Sequence, residues 1–226
     1  MKLSKRLNSI CELVVHEKTV ADVGCDHGKV LAKLFLDNKV DFAYACDISA
    51  KSVKKAEDLL NEIGISKSKF EIVVTDGLQN INASEIDLVI IAGMGGLEII
   101  KIISENNVKV NKFILVPHNN CIQLRKYLNK NNYTITNDFV VYDGGKYYNI
   151  MEVVLGSQKL SKLELTFGIN NLKTYNNDFN NYLNEEERKT RNIKNKVPFI
   201  KKIKCLKYLY LISKTKKIIK RNNNDR

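Results

Sequence analysis

The sequence predicts an α/β domain built on a mostly parallel sheet and followed by a helical segment. Three observations carry that expectation. Short apolar runs alternate with amphipathic runs at helical spacing over the first two-thirds of the chain. The alternation stops near residue 130, where two strand-like segments flank Asp143-Gly144-Gly145-Lys146. Beyond Gly156 the pattern is helical only, and the charge changes character. Strands that alternate with helices imply parallel pairing, because parallel neighbours need a crossover between them. A chain of 226 residues with 44% hydrophobic content is long enough for one such domain and an appendage.

Taken in order, Leu3, Leu7, Ile10, Leu13 and Val14 give residues 3–15 helical spacing. Strands are expected at 19–23, 42–46, 70–75, 86–92 and 112–116, with helices at 28–37, 50–63, 96–105 and 119–130. Segments 133–142 and 148–155 read as a hairpin, because Asp-Gly-Gly-Lys supplies its turn. Five parallel units closed by a hairpin are the pattern of the class I, Rossmann-like methyltransferase sheet. Domain limits are therefore set at 1–157 and 158–226. In the second domain Tyr175, Phe179 and Tyr182 recur at helical spacing, as do Phe199, Ile203, Leu206 and Tyr210 after Pro198. The two stripes predict a coiled-coil-like antiparallel hairpin joined near residue 195, with the stripes as its seam. Arg221 to Arg226 is expected to be disordered.

No apolar run approaches the ~20 residues of a membrane helix, and Met1 to Arg6 is not followed by a signal-peptide core. Five cysteines, an odd number without C-x-x-C pairing, read as reduced residues of a cytoplasmic protein. They suggest neither a disulfide framework nor a zinc site. Residues 1–155 hold 19 Lys and Arg against 19 Asp and Glu, whereas 156–226 hold 18 against 6. The whole net charge of +12 therefore lies in the last third. A Lys- and Asn-rich composition explains some lysines, but not the balance of the first two-thirds. A basic appendage on a neutral domain reads as a handle for a polyanion, with nucleic acid favoured.

The segment Ala21-Asp22-Val23-Gly24-Cys25-Asp26-His27-Gly28 lies between an expected strand and an expected helix. Glycine there lets a ligand approach the backbone, and the helix start offers unpaired N–H groups. A fold gripping a pyrophosphate wants G-x-G-x-x-G, but here Gly24 and Gly28 are four apart. Asp22 at the strand end repels phosphate and suits a ligand with amine and hydroxyl groups. S-adenosylmethionine is such a ligand, with Asp22, Gly24, Cys25 and Gly28 around it. Asp47, 23 residues after Gly24, would bind ribose hydroxyls, with Ile48 beside the adenine face. Asp76 and Gly77 would stand near the adenine amino group. Gly93, Met94 and Gly95, in Ala92-Gly93-Met94-Gly95-Gly96, would line the methyl-transfer centre. In Val116-Pro117-His118-Asn119, His118 and Asn119 could hydrogen-bond a base edge, with a helix N-cap as the competing role of Asn119. No His/Cys/Asp set has metal-ligand spacing.

These motifs together resemble the bacterial tRNA (adenine-N1)-methyltransferases that modify adenine 22. The resemblance rests on Asp22, Gly24, Asp26, His27, Gly93, Met94, Gly95, Gly96, Pro117, Gly145, Lys146 and Tyr148. It spans residues 1–155 and loosely includes the helical C-terminal part. Two departures stand out. The family usually has Gln-Pro-Asn where this chain has Val116-Pro117-His118, and often Glu where it has Asp47.

The resemblance implies S-adenosylmethionine as cofactor, tRNA as partner and adenine N1 as acceptor. Asp26 is the candidate catalytic carboxylate, accepting an N6 amino hydrogen and stabilising the cation that develops on the ring. His27 is placed beside it as an orienting group, and Tyr147 and Tyr148 as residues able to stack on a base. A monomer without membrane attachment is expected. Competing readings are a methyltransferase for another RNA or a protein, a nicotinamide-dependent dehydrogenase, and an RNA-binding protein with a relic cofactor site.

Overall fold

The structure, a computed structural model, describes residues 1–174 and 176–224. Helix α1 (Lys5–Leu13) precedes strand β1 (Glu17–Val23), and then, except that the third and fourth strands follow one another without a helix between them, strands and helices alternate. They are α2 (Lys29–Leu36), β2 (Val40–Asp47), α3 (Ala50–Glu62), β3 (Phe70–Val74), β4 (Glu85–Ala92), α4 (Gly96–Ser104), β5 (Lys109–Val116) and α5 (Cys121–Lys130). The hairpin β6 (Tyr133–Asp143) and β7 (Lys146–Leu155) completes a seven-stranded sheet of order β3-β2-β1-β4-β5-β7-β6. The first five strands pair in parallel and β7 runs antiparallel to β5 and β6. This is the Rossmann-like methyltransferase sheet that the apolar runs predict.

Both faces of the sheet are covered, so the central strands are apolar on both sides. Leu88 and Ile90 of β4 join the core beneath α1, α2 and α3. Their neighbours Val89 and Ile91 join the core beneath α4 and α5. The two-residue alternation of side chains along a strand produces this division. Gly144 and Gly145 both have positive φ, 55° and 83°, which gives the β6–β7 hairpin the turn whose twist matches its strands.

The remaining helices are α6 (Lys162–Phe167), α7 (Asn170–Lys173), α8 (Asn177–Lys194) and α9 (Phe199–Asn224). They dock on the open edge of β6. Asn170 and Asn171 accept hydrogen bonds from the N–H groups of Asp138 and Val140, at 2.8 and 3.1 Å. Asn176 donates to the carbonyl of Val140, and Asp178 accepts from the N–H of Tyr142. Side chains thus satisfy an edge that would otherwise offer unpaired backbone groups to another chain. Beneath them Arg125 and Asp138, both fully buried, form a two-pronged ion pair at 2.6 and 2.9 Å. Arg125 also donates to the Thr166 carbonyl and to Asn149, so one guanidinium ties α5, the hairpin and α6 together.

The helical hairpin is present, but its α9 seam differs from the expected stripe. Ile212, Thr215 and Ile219 are buried on α9, and the two isoleucines join Phe179 and Leu183 of α8. Phe199, Leu206 and Tyr210 are 76, 52 and 66% exposed. The helix carries apolar residues on two faces, and the face whose residues meet α7 and α8 is the one that becomes buried. The chain end also differs: α9 continues helical through Asn224, with Asn222 donating to the Leu172 carbonyl. Tyr175, Asp225 and Arg226 lie outside the described residues.

Candidate active site

Parallel registers bring the carboxyl ends of three strands side by side, with Val23 opposite Ile91 and Ala92 opposite Val116. The loops that leave this edge enclose a cleft of about 330 Å³. Asp22, Gly24, Cys25, Asp26 and His27 line it from β1, Gly93 from β4 and His118 from β5. Ligands of open α/β sheets bind at such carboxyl ends.

Backbone bonds hold the β1 turn firmly. The N–H groups of Gly24 and Cys25 both donate to the Cys46 carbonyl, at 2.8 and 3.0 Å. The N–H of Asp26 donates to the Asp47 carboxylate at 3.3 Å, and Asp47 also accepts from Ser49 at 2.8 Å. Asp26 sits at φ 47°, a left-handed conformation that Asp tolerates better than most residues, and its carboxylate faces solvent at the cleft mouth. Asp22 is its opposite. It is 3% exposed and has no hydrogen-bond partner for its carboxyl among the described residues. Burial, reinforced by the charge of Asp47, pushes that carboxyl up to about 7. His27 lies 3.6 Å from Asp26, and Lys55 approaches the same ring nitrogen at 3.3 Å.

The glycine loop after β4 and the proline loop after β5 interlock. His118 N–H donates to the Met94 carbonyl at 2.8 Å, and Gly96 N–H donates to the Asn119 carbonyl at 3.2 Å. A Cβ on Gly96 would lie 2.7 Å from that same carbonyl oxygen, so glycine there is required by the backbone approach. Met94 folds back against Gly24, joining this loop to the β1 turn. The ring of His118 faces Gly93 and stands 6.0 Å from the ring of Tyr148. Partial burial, with Arg6 and Lys146 nearby, moves His118 below the ordinary histidine value, which keeps it neutral near pH 7.

Other expected site residues lie beside the cleft or apart from it. Asp47 touches it through Asp26, with Ile48 exposed alongside. A Cβ on Gly28 would lie 2.9 Å from Ala56 Cα, so Gly28 allows α2 to pack on α3. Asp76 pairs with Lys101 at 3.3 Å, and Gly77 packs on Ile102, both in a separate small depression. Gly95 packs against the side chain of Asn119. Asn119 accepts from Asn120, and Asn120, not Asn119, occupies the N-cap of α5. The two tyrosines part company along β7: Tyr147 packs at an angle against Tyr142 and edge-on against Tyr182 under the helical hairpin, whereas Tyr148 faces the site.

Arg6, Leu7, Lys29 and Val30 also line the cleft, although no motif in the sequence marks them as site residues. Arg6 is the most informative of them. Its guanidinium lies 4.7 Å above the Tyr148 ring and has no ion-pair partner among the described residues. Its backbone N–H donates to Asp143. The helical stripe identified Leu7 as apolar, but nothing local marks Arg6, because α1 meets β7 only in the tertiary fold. Among the described residues no helix is long and apolar enough to cross a membrane. Among the same residues no group of three or more His, Cys, Asp or Glu could hold a metal ion.

Residues 3–151 match the family described as a methyltransferase domain. A Mycoplasma pneumoniae protein named as a candidate tRNA methyltransferase is 33% identical over 67% of this chain and 71% of its own. The tRNA (adenine(22)-N(1))-methyltransferase of Bacillus subtilis is 29% identical over 70% of this chain and 67% of its own. The structure of Mycoplasma capricolum TrmK with S-adenosylhomocysteine is 27% identical and superposes with a TM-score of 0.89. That alignment covers 97% of this chain and 100% of the other. The ordered motifs, the sheet and these likenesses agree: the chain belongs to the tRNA (adenine-N1)-methyltransferase family.

Proposed function

We propose that the protein methylates N1 of adenine in tRNA, at position 22, using S-adenosylmethionine. The observation that carries this reading is the single cleft into which β1, β4 and β5 deliver Asp22, Asp26, Gly93 and His118. The relatives' activity and the S-adenosylhomocysteine held by the Mycoplasma capricolum protein support it. S-adenosylmethionine, when bound, supplies an electrophilic methyl group on a sulfonium.

The chain's residues fit that ligand. Asp22, buried without a partner, is suited to an ammonium group and unsuited to a phosphate. Asp47 and the exposed Ile48 stand together at the end of β2, one able to accept from ribose hydroxyls and the other to cover an adenine face. Asp76 and Gly77 would serve the adenine amino group from the neighbouring strand end.

At the acceptor side, Asp26 accepts a hydrogen from the N6 amino group. This strengthens N1 as a nucleophile and stabilises the positive charge that passes to the ring. Neutral His118 orients the base edge, and Tyr148 stacks near it. Arg6 turns its N–H groups toward a phosphate that flanks the target nucleotide. Because N1 is occupied in a base pair, the target must be unpaired or flipped out. The basic segment 158–226 holds the tRNA backbone outside the cleft, in the cytoplasm.

Incubation with unmodified tRNA and labelled donor, followed by nucleotide mapping, is expected to place 1-methyladenosine at position 22. Tight donor binding without methyl transfer to any tRNA refutes the reading. Asp26→Ala should lower kcat about 10²- to 10⁴-fold with donor affinity unchanged. Full turnover by that variant removes Asp26 from the mechanism but leaves the activity standing.

A further inference from the structure

The apolar stripe that the sequence marks as a helix seam is left uncovered, on the outer face of α9. Phe199, Ile203, Leu206 and Tyr210 follow one another at helical spacing, and all four are exposed. Lone exposed apolar residues are ordinary, whereas a continuous line of four signals an interaction face. Leu206 and Tyr210 also form the floor of a groove of about 550 Å³ between α9 and the start of α6, with Leu163 beside them. Its rim carries Lys162, Lys207 and Lys214. None of these three has an ion-pair partner among the described residues, although Lys189 and Lys216 nearby are paired with the acids of α8. From Arg188 to Asn224 the sequence contains no Asp or Glu.

We propose that this groove is a second nucleic-acid subsite, distinct from the methylation cleft. It takes one unstacked base of the tRNA on Leu206 and Tyr210, with the adjoining phosphates between Lys162, Lys207 and Lys214. The proposal rests on the tRNA reading above and says where the helical segment holds its substrate. An aromatic platform inside a cationic groove is the usual chemistry of single-stranded nucleic-acid binding. A second copy of the chain suits the face poorly, because a self-complementary contact would set lysine against lysine. A flat lipid surface would engage the stripe but would leave the groove unused.

The test uses the full-length enzyme carrying Tyr210→Ala with Leu206→Ser, a pair that leaves the charge intact and touches no cleft residue. The KM for tRNA is expected to rise about tenfold while kcat and donor affinity stay unchanged. Lys207→Ala with Lys214→Ala should lower the slope of affinity against salt by about one unit per lysine. Photocrosslinking should join tRNA to the peptide that contains Tyr210. An unchanged KM in the Tyr210–Leu206 variant overturns the proposal. Loss of self-association in sedimentation, or of binding to phosphatidylglycerol vesicles, without a change in KM also overturns it. Those outcomes assign the face to a second copy or to a bilayer. If the unaltered protein binds donor and methylates no tRNA, the tRNA reading itself fails and this proposal falls with it. Methylation with an unchanged variant KM refutes the groove alone.

Discussion

The cleft and the helical hairpin use charge in opposite ways. Around the cleft single charges hold separate places: Asp22 is buried, Asp26 stands at the mouth with its N–H donating to the Asp47 carboxylate, and Arg6 lies over Tyr148. On α9 cations stand in rows along solvent with no acid among them. A buried carboxylate suits a cationic group, while rows of lysine attract a polyanion. On the proposed reading, the donor and the RNA backbone are each matched in charge by a different region of the chain. The two regions are joined by the side chains that cap the β6 edge and by the buried Arg125–Asp138 pair beneath them.

Breaking that junction should have the largest effect. Arg125→Ala leaves Asp138 buried and unpaired beneath α6, with an expected loss of about 3–5 kcal/mol. Thermal unfolding should fall by roughly 10 °C. A change of only a degree or two would mean that the helical segment docks without the ion pair.

Asp22 is the buried acid of the cleft. Its carboxyl, raised to about 7, is protonated in the cofactor-free protein below that pH, and a cationic donor binds the ionised form. Donor affinity should therefore tighten as pH rises toward 7 and level off above it. Asp22→Asn should weaken donor binding about 10- to 100-fold at pH 8 and abolish the pH dependence, as calorimetry would read. The stability effect has the opposite sign. A carboxyl whose folded value is raised costs stability as pH climbs from its unfolded value to about 7. Cofactor-free Asp22→Asn should therefore melt higher than the parent above pH 7. A pH-independent donor affinity in the parent would remove Asp22 from the donor site.

The smallest expected effect tests Arg6, a cation set among acids. Arg6→Ala should raise the KM for tRNA about five- to tenfold with kcat nearly unchanged. If donor affinity falls instead, Arg6 holds the donor's carboxylate and not a phosphate of the RNA.

Much of the fold was legible because its physics is local. The central parallel strands bury both faces, so each is an apolar run bounded by helical spacing. The hairpin turn declares itself in Gly144 and Gly145. The turn from Asp22 to His27 could be located because a strand end, a glycine and an acid occur together in a few residues. Arg6 could not, since its meaning depends on Tyr148 far along the chain. Gly28 reads as a ligand glycine, and what a Cβ there would meet is Ala56 of α3, a packing reason that only the fold reveals. The α9 stripe was the largest mismatch. A helix with two apolar faces has a correct period either way, and period alone does not say which face is covered.

The order of residues along the chain sets the layers, the succession of strands and helices, the family motifs and the separation of charge. Each of these follows from spacing or from counting side chains along the chain. The tertiary structure decided which carboxylate is buried and which is exposed at the cleft. It also decided which cation reaches Tyr148, and which face of α9 remains open beside its lysines. Those outcomes depend on desolvation and on the approach of segments distant in sequence, quantities that exist only once the chain has packed.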